Sequence, residues 1–365
     1  MLISADYEVF LGGNLIPEED VLIKPTSILL EMMEELKVPL TLFCDVACIW
    51  RYRETGLNYF PELMEKQLKQ AVINGHDVQA HLHPHWLNAK IIDGRYIYNK
   101  EEYFLGKIKK DYDQCYLYIY NLLHKAKKYL EELLKPIKDD YECIAFRAGG
   151  YGIQPREELI IKALIENGYL IDSSIIPNMK TSHINFTNVP RIANYFLDGR
   201  NGIYFPGNSG IFEIPIAAGY PGIKAYLEHI LFKIINKIKK KIKGIRTYKH
   251  GYIIGEEDIK MPKNYSNQLL KTIKGIKNIF KRIWHFVEIE DDPKYLVKIT
   301  MNYIKQYYKN QKDIFLAISM HPKTMRSDHF YCLANYYKKM KEIYGADLEA
   351  ITFREVKNKI KRVKL

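Results

Sequence analysis

Residues 75–86 read GHDVQAHLHPHW, placing His76, His81, His83 and His85 within one short stretch of a chain that holds 11 histidines. His81 and His85 stand four apart. That spacing brings both rings to one side of a helical turn or tight loop, where they can share an ion. A polar loop near the surface is the plainer reading of the same cluster. Two imidazoles do not complete a metal site, so a carboxylate or another third ligand must come from elsewhere.

The stretch contains HDVQAH (76–81), one of a series of short apolar or β-branched runs. The others are LISADYEV (2–9), TLFCDV (41–46), CIAFRA (143–148), LIDSS (170–174), IFEIPI (211–216), FLAISMH (315–321) and LEAIT (348–352). Between them lie stretches with apolar residues at three- and four-residue steps: SILLEMMEEL, PELMEKQLKQAV, a long run from EEYFLGKI to EELL, and PREELIIKALIENG. Pro61 suits a first helical turn, and the last stretch stops at a Gly. The repeated strand–helix order predicts an α/β fold with a parallel sheet, open or closed into a barrel. In such a barrel the rim at the strand ends carries the active site, and polar residues recur there in this chain.

At 365 residues with 47% hydrophobic composition, the chain has the material for one large α/β domain or two ordinary ones. No uninterrupted apolar run approaches the ~18 residues of a membrane span, and MLISADYEVF is not a secretory signal. Five Cys (Cys44, Cys48, Cys115, Cys143, Cys332) show no framework spacing, which suits reduced thiols in a cytoplasm. The net charge of +12 is local: residues 223–285 hold 16 Lys and Arg against 4 Asp and Glu, and the rest of the chain is neutral.

That basic segment interrupts the alternation. In AYLEHILFKIINKIKKKIKGI, residues Leu227, Ile230, Leu231, Ile234, Ile238, Ile242 and Ile245 share one helical side and lysines the other; LLKTIKGIKNIFKRIWHFVEI repeats the pattern. One reading is an inserted helical pair with its apolar stripe packed on the barrel. Another is a surface that meets an anionic membrane or glycan. Nucleic acid is not expected as a partner, since no recognised binding motif accompanies the charge.

The first strand offers the missing carboxylate. Asp6 and Glu8 in SADYE are two apart, so an extended strand points both to the same face. With His81 and His85 they form a His-His-carboxylate set with one acid to spare. A spare carboxylate beside a metal-bound water is what a hydrolase needs as general base.

With these residues assembled, the chain resembles the polysaccharide deacetylase (NodB homology) family, also called carbohydrate esterase family four. SADYE (4–8) resembles its first motif in a spaced D-x-E form, GHDVQAHLHPH (75–85) its second, and FRAGGYG (146–152) its third. LIDSS (170–174) and AISMHP (317–322) resemble the fourth and fifth. The sequence departs from the common pattern in separating the two acids and in a third motif one residue longer. The resemblance implies a distorted (β/α) barrel of about seven parallel strands in a single 1–365 domain, with 223–285 as a basic helical insertion. It implies an N-deacetylase in which Glu8, His81 and His85 hold a divalent metal ion, most commonly zinc, and Asp6 is the base. Arg147 would orient Asp6, His321 would protonate the leaving amine with Asp172 as its charge partner, and an N–H of Gly150 or Tyr151 would face the oxyanion. Trp86 and Tyr151 are candidates to stack on a sugar, Trp86 with a core position as its alternative; Asp172 has a loop cap as its alternative. His76 and His83 are expected in supporting or structural positions. The expected partner is an N-acetylated glycan or sugar intermediate made inside the cell, with a peripheral place at the inner membrane face left open through 223–285. A hydrolase of a non-sugar amide and a catalytically silent carbohydrate-binding relative are the alternatives.

Overall fold

The computed structural model describes residues 1–10, 17–92, 95–200, 202–242, 284–289, 292–308, 311 and 313–360. Among them the strands are β1 (Leu2–Tyr7), β2 (Thr41–Asp45), β3 (Asp77–Leu82), β4 (Lys90–Ile92), β5 (Arg95–Ile97) and β6 (Ala145–Ala148). There follow β7 (Ile171–Asp172), β8 (Tyr195–Leu197), β9 (Ile211–Glu213), β10 (Ala218–Gly219), β11 (His285–Phe286) and β12 (Ala317–Ile318). The α-helices are α1 (Lys24–Glu35), α2 (Val46–Glu54), α3 (Tyr59–Ile73), α4 (Tyr112–Leu134), α5 (Glu157–Glu166) and α6 (Ile223–Ile242). After these come α7 (Pro293–Tyr307), α8 (Ser327–Tyr344) and α9 (Phe353–Val356).

Eight strands form one curled sheet in the order β12-β1-β2-β3-β6-β7-β9-β8, all parallel except the edge pair β8–β9. The two sides approach beyond β9, where Ile216 bridges Ala317 and the Ala217 N–H donates to the Ala317 carbonyl at 2.9 Å. The result is a mixed α/β half-barrel. LEAIT is not a strand: Ile351 donates one backbone bond to Met1, and Thr352 forms a capping box with Glu355 that starts α9. The part of the expected basic insertion from 243 to 283 lies outside the described residues. No helix among the described residues is long and apolar enough to cross a membrane.

Side-chain alternation along the strands sorts the residues. On β3, Val78, Ala80 and Leu82 join the apolar layer between sheet and helices, while Asp77, Gln79 and His81 point inward. On β1, Tyr7 points outward and donates to Gln67 Oε1 on α3 at 2.9 Å, which leaves Asp6 and Glu8 together on the inner face. The lower interior is apolar (Leu2, Phe43, Ala145, Ile171, Phe212, Ala317) and is plugged by Phe353 and Val356 of α9. The upper interior is polar and is the site.

Gln79 couples the two levels. Its Oε1 accepts from the Ile144 and Ala145 N–H groups (2.9 and 2.7 Å) just below the β3–β6 ladder, and its Nε2 donates to Asp77. Gln79→Leu leaves two buried N–H donors unpaired, at about 1–3 kcal/mol each. We expect a loss of about 2–5 kcal/mol in urea unfolding; an unchanged midpoint would mean that this side chain does not complete the ladder.

Candidate metal centre

Most polar groups of the site sit at the carboxyl ends of parallel strands. Asp6 and Glu8 end β1, Asp45 ends β2, His81 and His83 end β3, Arg147 lies on β6 and His321 follows β12. The burial of this cluster overturns the reading of 75–86 as a surface loop: His81, His83 and His85 are all buried.

Arg147 is wholly inside the protein. It donates from Nη1 to Asp6 Oδ1 (2.6 Å) and Ser319 Oγ (3.5 Å), from Nη2 to Ser4 Oγ (2.9 Å) and Ser173 Oγ (3.2 Å), and from Nε to the Ser173 carbonyl (3.0 Å). Its guanidinium also lies 4.1 Å from the Phe43 ring centroid. Burial by itself raises the Asp6 pKa, but Arg147, with His81 and His321 behind it, holds the carboxyl below its usual value. Asp6 is an oriented, ionised carboxylate.

Glu8 is shared between two sets of partners. Its Oε2 touches His83 Nε2 and lies 3.6 Å from His81 Nε2. Its Oε1 accepts from Lys323 Nζ at 2.7 Å and lies 3.4 Å from His321 Nε2. Burial opposes the Glu8 charge; His83 and Lys323 outweigh it and hold the carboxyl well below its ordinary pKa. His81 Nδ1 faces the Arg147 carbonyl at 2.8 Å. A protonated Nδ1 there leaves the Nε2 lone pair directed at Glu8.

These atoms fit a cation. Glu8 Oε2, His81 Nε2 and both nitrogens of His83 are buried and make no hydrogen bond, and the same holds for both nitrogens of His85. One ligand atom each from Glu8, His81 and His83 falls within 4.8 Å of the other two, as do atoms of Asp6, Glu8 and His321. Two imidazoles and a carboxylate are a donor set that could hold a divalent metal ion.

The gathered histidines differ from the expected pair. His81 lies on a strand and His83 is extended (φ −106°, ψ 96°), so alternation by two puts these rings on one face, 4.9 Å apart. His85 follows Pro84 into a 3₁₀ turn and lies against Tyr98 and Tyr103, at 4.7 and 4.9 Å. Burial, then His83, pushes its pKa down to about 2, so it is neutral. It lies outside the three-residue group.

The remaining expectations divide. His321 is in the site, with Nε2 3.4 Å from Asp6 Oδ2, but the acid on its Nδ1 is Glu288 at 2.7 Å. Burial lowers its pKa and Glu288 more than restores it, so the net shift is upward. Asp172 is not that partner. It accepts from the Ser174 hydroxyl (2.7 Å) and N–H (3.3 Å), the loop-cap alternative. Trp86 is 1% exposed and packed by Tyr52 and Tyr96, so it offers no face to a sugar and takes the core alternative. Gly150 and Tyr151 both have left-handed backbone (φ 60° and 58°), which turns the chain sharply at the end of β6. His76 accepts from the Leu40 N–H at 3.1 Å and is structural.

Sequence reasoning missed four residues here: Asp45, His83 as a member of the gathered group, Glu288 and Lys323. Asp45 Oδ1 accepts from the His83 N–H at 3.1 Å, and its position ending TLFCD was its only signal. The period-two histidines of AHLHPH were the signal for His83. Glu288 and Lys323 carried none.

No family model matches the chain, and no curated protein matches it. Among solved structures, a crystal structure from Mycobacterium smegmatis described as "putative polysaccharide deacetylase" is similar to this chain at a TM-score of 0.42 and 11% identity. The match covers 93% of this chain and 78% of that one.

Zinc titration of the metal-free chain discriminates the histidines. Loss of His83 should weaken binding by ~100-fold or more, and His85→Ala by less than ~3-fold. Gly149→Ala would place its Cβ 2.6 Å from His83 Nδ1 and 2.4 Å from the Leu82 carbonyl. It should therefore cost roughly 10–100-fold in affinity by displacing the ring. The opposite ranking, with zinc lost in His85→Ala and kept in His83→Ala, returns the ligand role to His85.

Proposed function

We propose that this protein is a metal-dependent amide hydrolase of the polysaccharide deacetylase (NodB homology) kind, one that removes the acetyl group from an N-acetylated sugar. The observation that carries the reading is the placement of two carboxylates with different duties on one strand. Asp6 is held by Arg147, and Glu8 turns one oxygen toward two histidines with unused lone pairs. The ordered resemblance of five strand-end segments supports it.

Zinc held by Glu8, His81 and His83 would supply Lewis acidity toward the amide carbonyl and lower the pKa of the attacking water. Asp6, kept ionised by Arg147, takes the proton of that water. His321 stands next to Asp6 and is oriented by Glu288. It delivers a proton to the departing nitrogen, so that an acetate and a free amine leave. Lys323 neutralises the second oxygen of Glu8 and keeps that carboxylate turned toward the histidines. A backbone N–H from the Gly150–Tyr151 turn faces the oxyanion.

The substrate is an N-acetylated glycan or sugar intermediate inside the cell. All five cysteines are buried, and Cys44, Cys48, Cys115 and Cys143 stand outside any disulfide, which suits a reducing compartment. A small non-sugar amide is the second reading, favoured by one observation: the burial of Trp86 removes an expected sugar platform.

Acetate release from a panel of N-acetylated sugars, sugar nucleotides and simple acetamides tests the activity. Chelation should abolish release and zinc restore it; a panel that yields no acetate from the zinc-loaded chain defeats the proposal. Asp6→Asn should bind zinc almost normally and lose about 10²-fold or more in rate, whereas Glu8→Gln should lose zinc affinity and be partly rescued by excess metal. If Asp6→Asn loses the ion and Glu8→Gln keeps it, the two roles are exchanged.

His321→Ala should keep the metal and lose about 10²-fold on an amide, with a smaller loss on an activated aryl ester whose leaving group needs no proton. Equal losses on both substrates would take His321 out of the acid role.

A further inference from the structure

The structure turns α6 inside out relative to one sequence expectation. The residues that rest toward the protein are Ala225, Tyr226, His229, Phe232 and Asn236, all at least half-buried. His229 anchors them: its Nδ1 lies 2.9 Å from Asp292 Oδ2, and its ring stacks on Tyr295 of α7 at 4.0 Å and 10°. The branched aliphatic stripe faces the other way. Ile223, Leu227, Ile230, Leu231, Ile234, Ile235 and Ile238 are exposed by 37% (Ile230) to 59% (Leu227). Among the described residues, nothing packs over these side chains closely enough to bury them.

We propose that α6 is an interfacial helix that lies flat on an anionic membrane surface, its isoleucine and leucine stripe sunk into the boundary between headgroups and acyl chains. Three observations favour this occupant. The helix is 20 residues long and carries its stripe along most of that length, the form of a helix that lies in a bilayer surface. It is not apolar enough to cross. The charge on the helix is strongly of one sign, six Lys against one Glu over 223–242, which complements acidic headgroups. A second copy of the chain fits worse, because pairing the stripes would bring two such basic segments together. Nucleic acid would leave the seven aliphatic side chains without a role.

The inference does not rest on the hydrolase reading. The anchor is His229 with Asp292 and Tyr295, none of which belongs to the metal centre.

Flotation of the full-length chain through a density gradient tests it, with vesicles of phosphatidylcholine alone or with about one third phosphatidylglycerol. The chain should float with the acidic vesicles at low salt, and the bound fraction should fall as salt screens the charge. The triple variant Leu227→Glu, Leu231→Glu, Ile234→Glu should lose ~10-fold or more of that binding, while circular dichroism and zinc affinity stay unchanged because the three side chains are exposed. Absence of flotation on acidic vesicles at low salt overturns the proposal, as does flotation that the triple variant does not reduce. A concentration-dependent dimer, seen by light scattering and broken by the same variant, would assign the stripe to a second copy and also overturn it.

Discussion

The guanidinium of Arg147 holds the upper half of this molecule together. A buried cation is costly unless its charge and all its donors are met. Here five N–H groups find five acceptors, contributed by β1, the loop after β7 and the chain just past β12. Those strands are far apart in sequence, and the sheet must curl to bring them around one side chain. Asp6 is the only charged acceptor among the five. Its geometry and its ionisation are thus consequences of the same constraint that shapes the half-barrel.

Once Asp6 is committed to Arg147, Glu8 is the acid left to face the histidines. Alternation on the strand puts both acids on the inner face but two residues apart, so they meet different partners. The two oxygens of Glu8 then divide, one toward His81 and His83, the other toward Lys323 and His321. Because Glu8 belongs to both candidate ligand groups, the two cannot be filled independently. The arrangement suits a single ion, with Asp6 and His321 standing beside it.

Much of this was legible in the sequence. The strand–helix order, the pairing of Asp6 with Arg147 and the place of His321 follow from short runs and from the motif resemblance. The choice between His83 and His85 did not, because a spacing of four suggests a helical turn while the segment is extended until Pro84. Glu288 was illegible for another reason: it comes to His321 by tertiary contact, 33 residues away along the chain, and no local pattern marks it. Trp86 shows the limit of composition, since a tryptophan beside histidines reads equally as platform or core. In α6 the periodicity defined a stripe that the described residues show from Leu227 to Ile238, and could not say which side the protein would cover. That was decided by His229, a polar residue on the less apolar face, whose bond to Asp292 and stacking on Tyr295 fix the rotation of the helix.

The base of the basic segment is a two-rung ribbon, with Ala218 opposite Phe286 and Gly219 opposite His285. Two residues beyond it, Glu288 bridges Ser319 and reaches His321. The position of Glu288 beside His321 is therefore set by the ribbon and by β12. The pairing is also a control on distance: because strand side chains alternate, a slip of one residue between the rungs would turn Glu288 away from His321, and with it the acid that fixes the orientation of that imidazole.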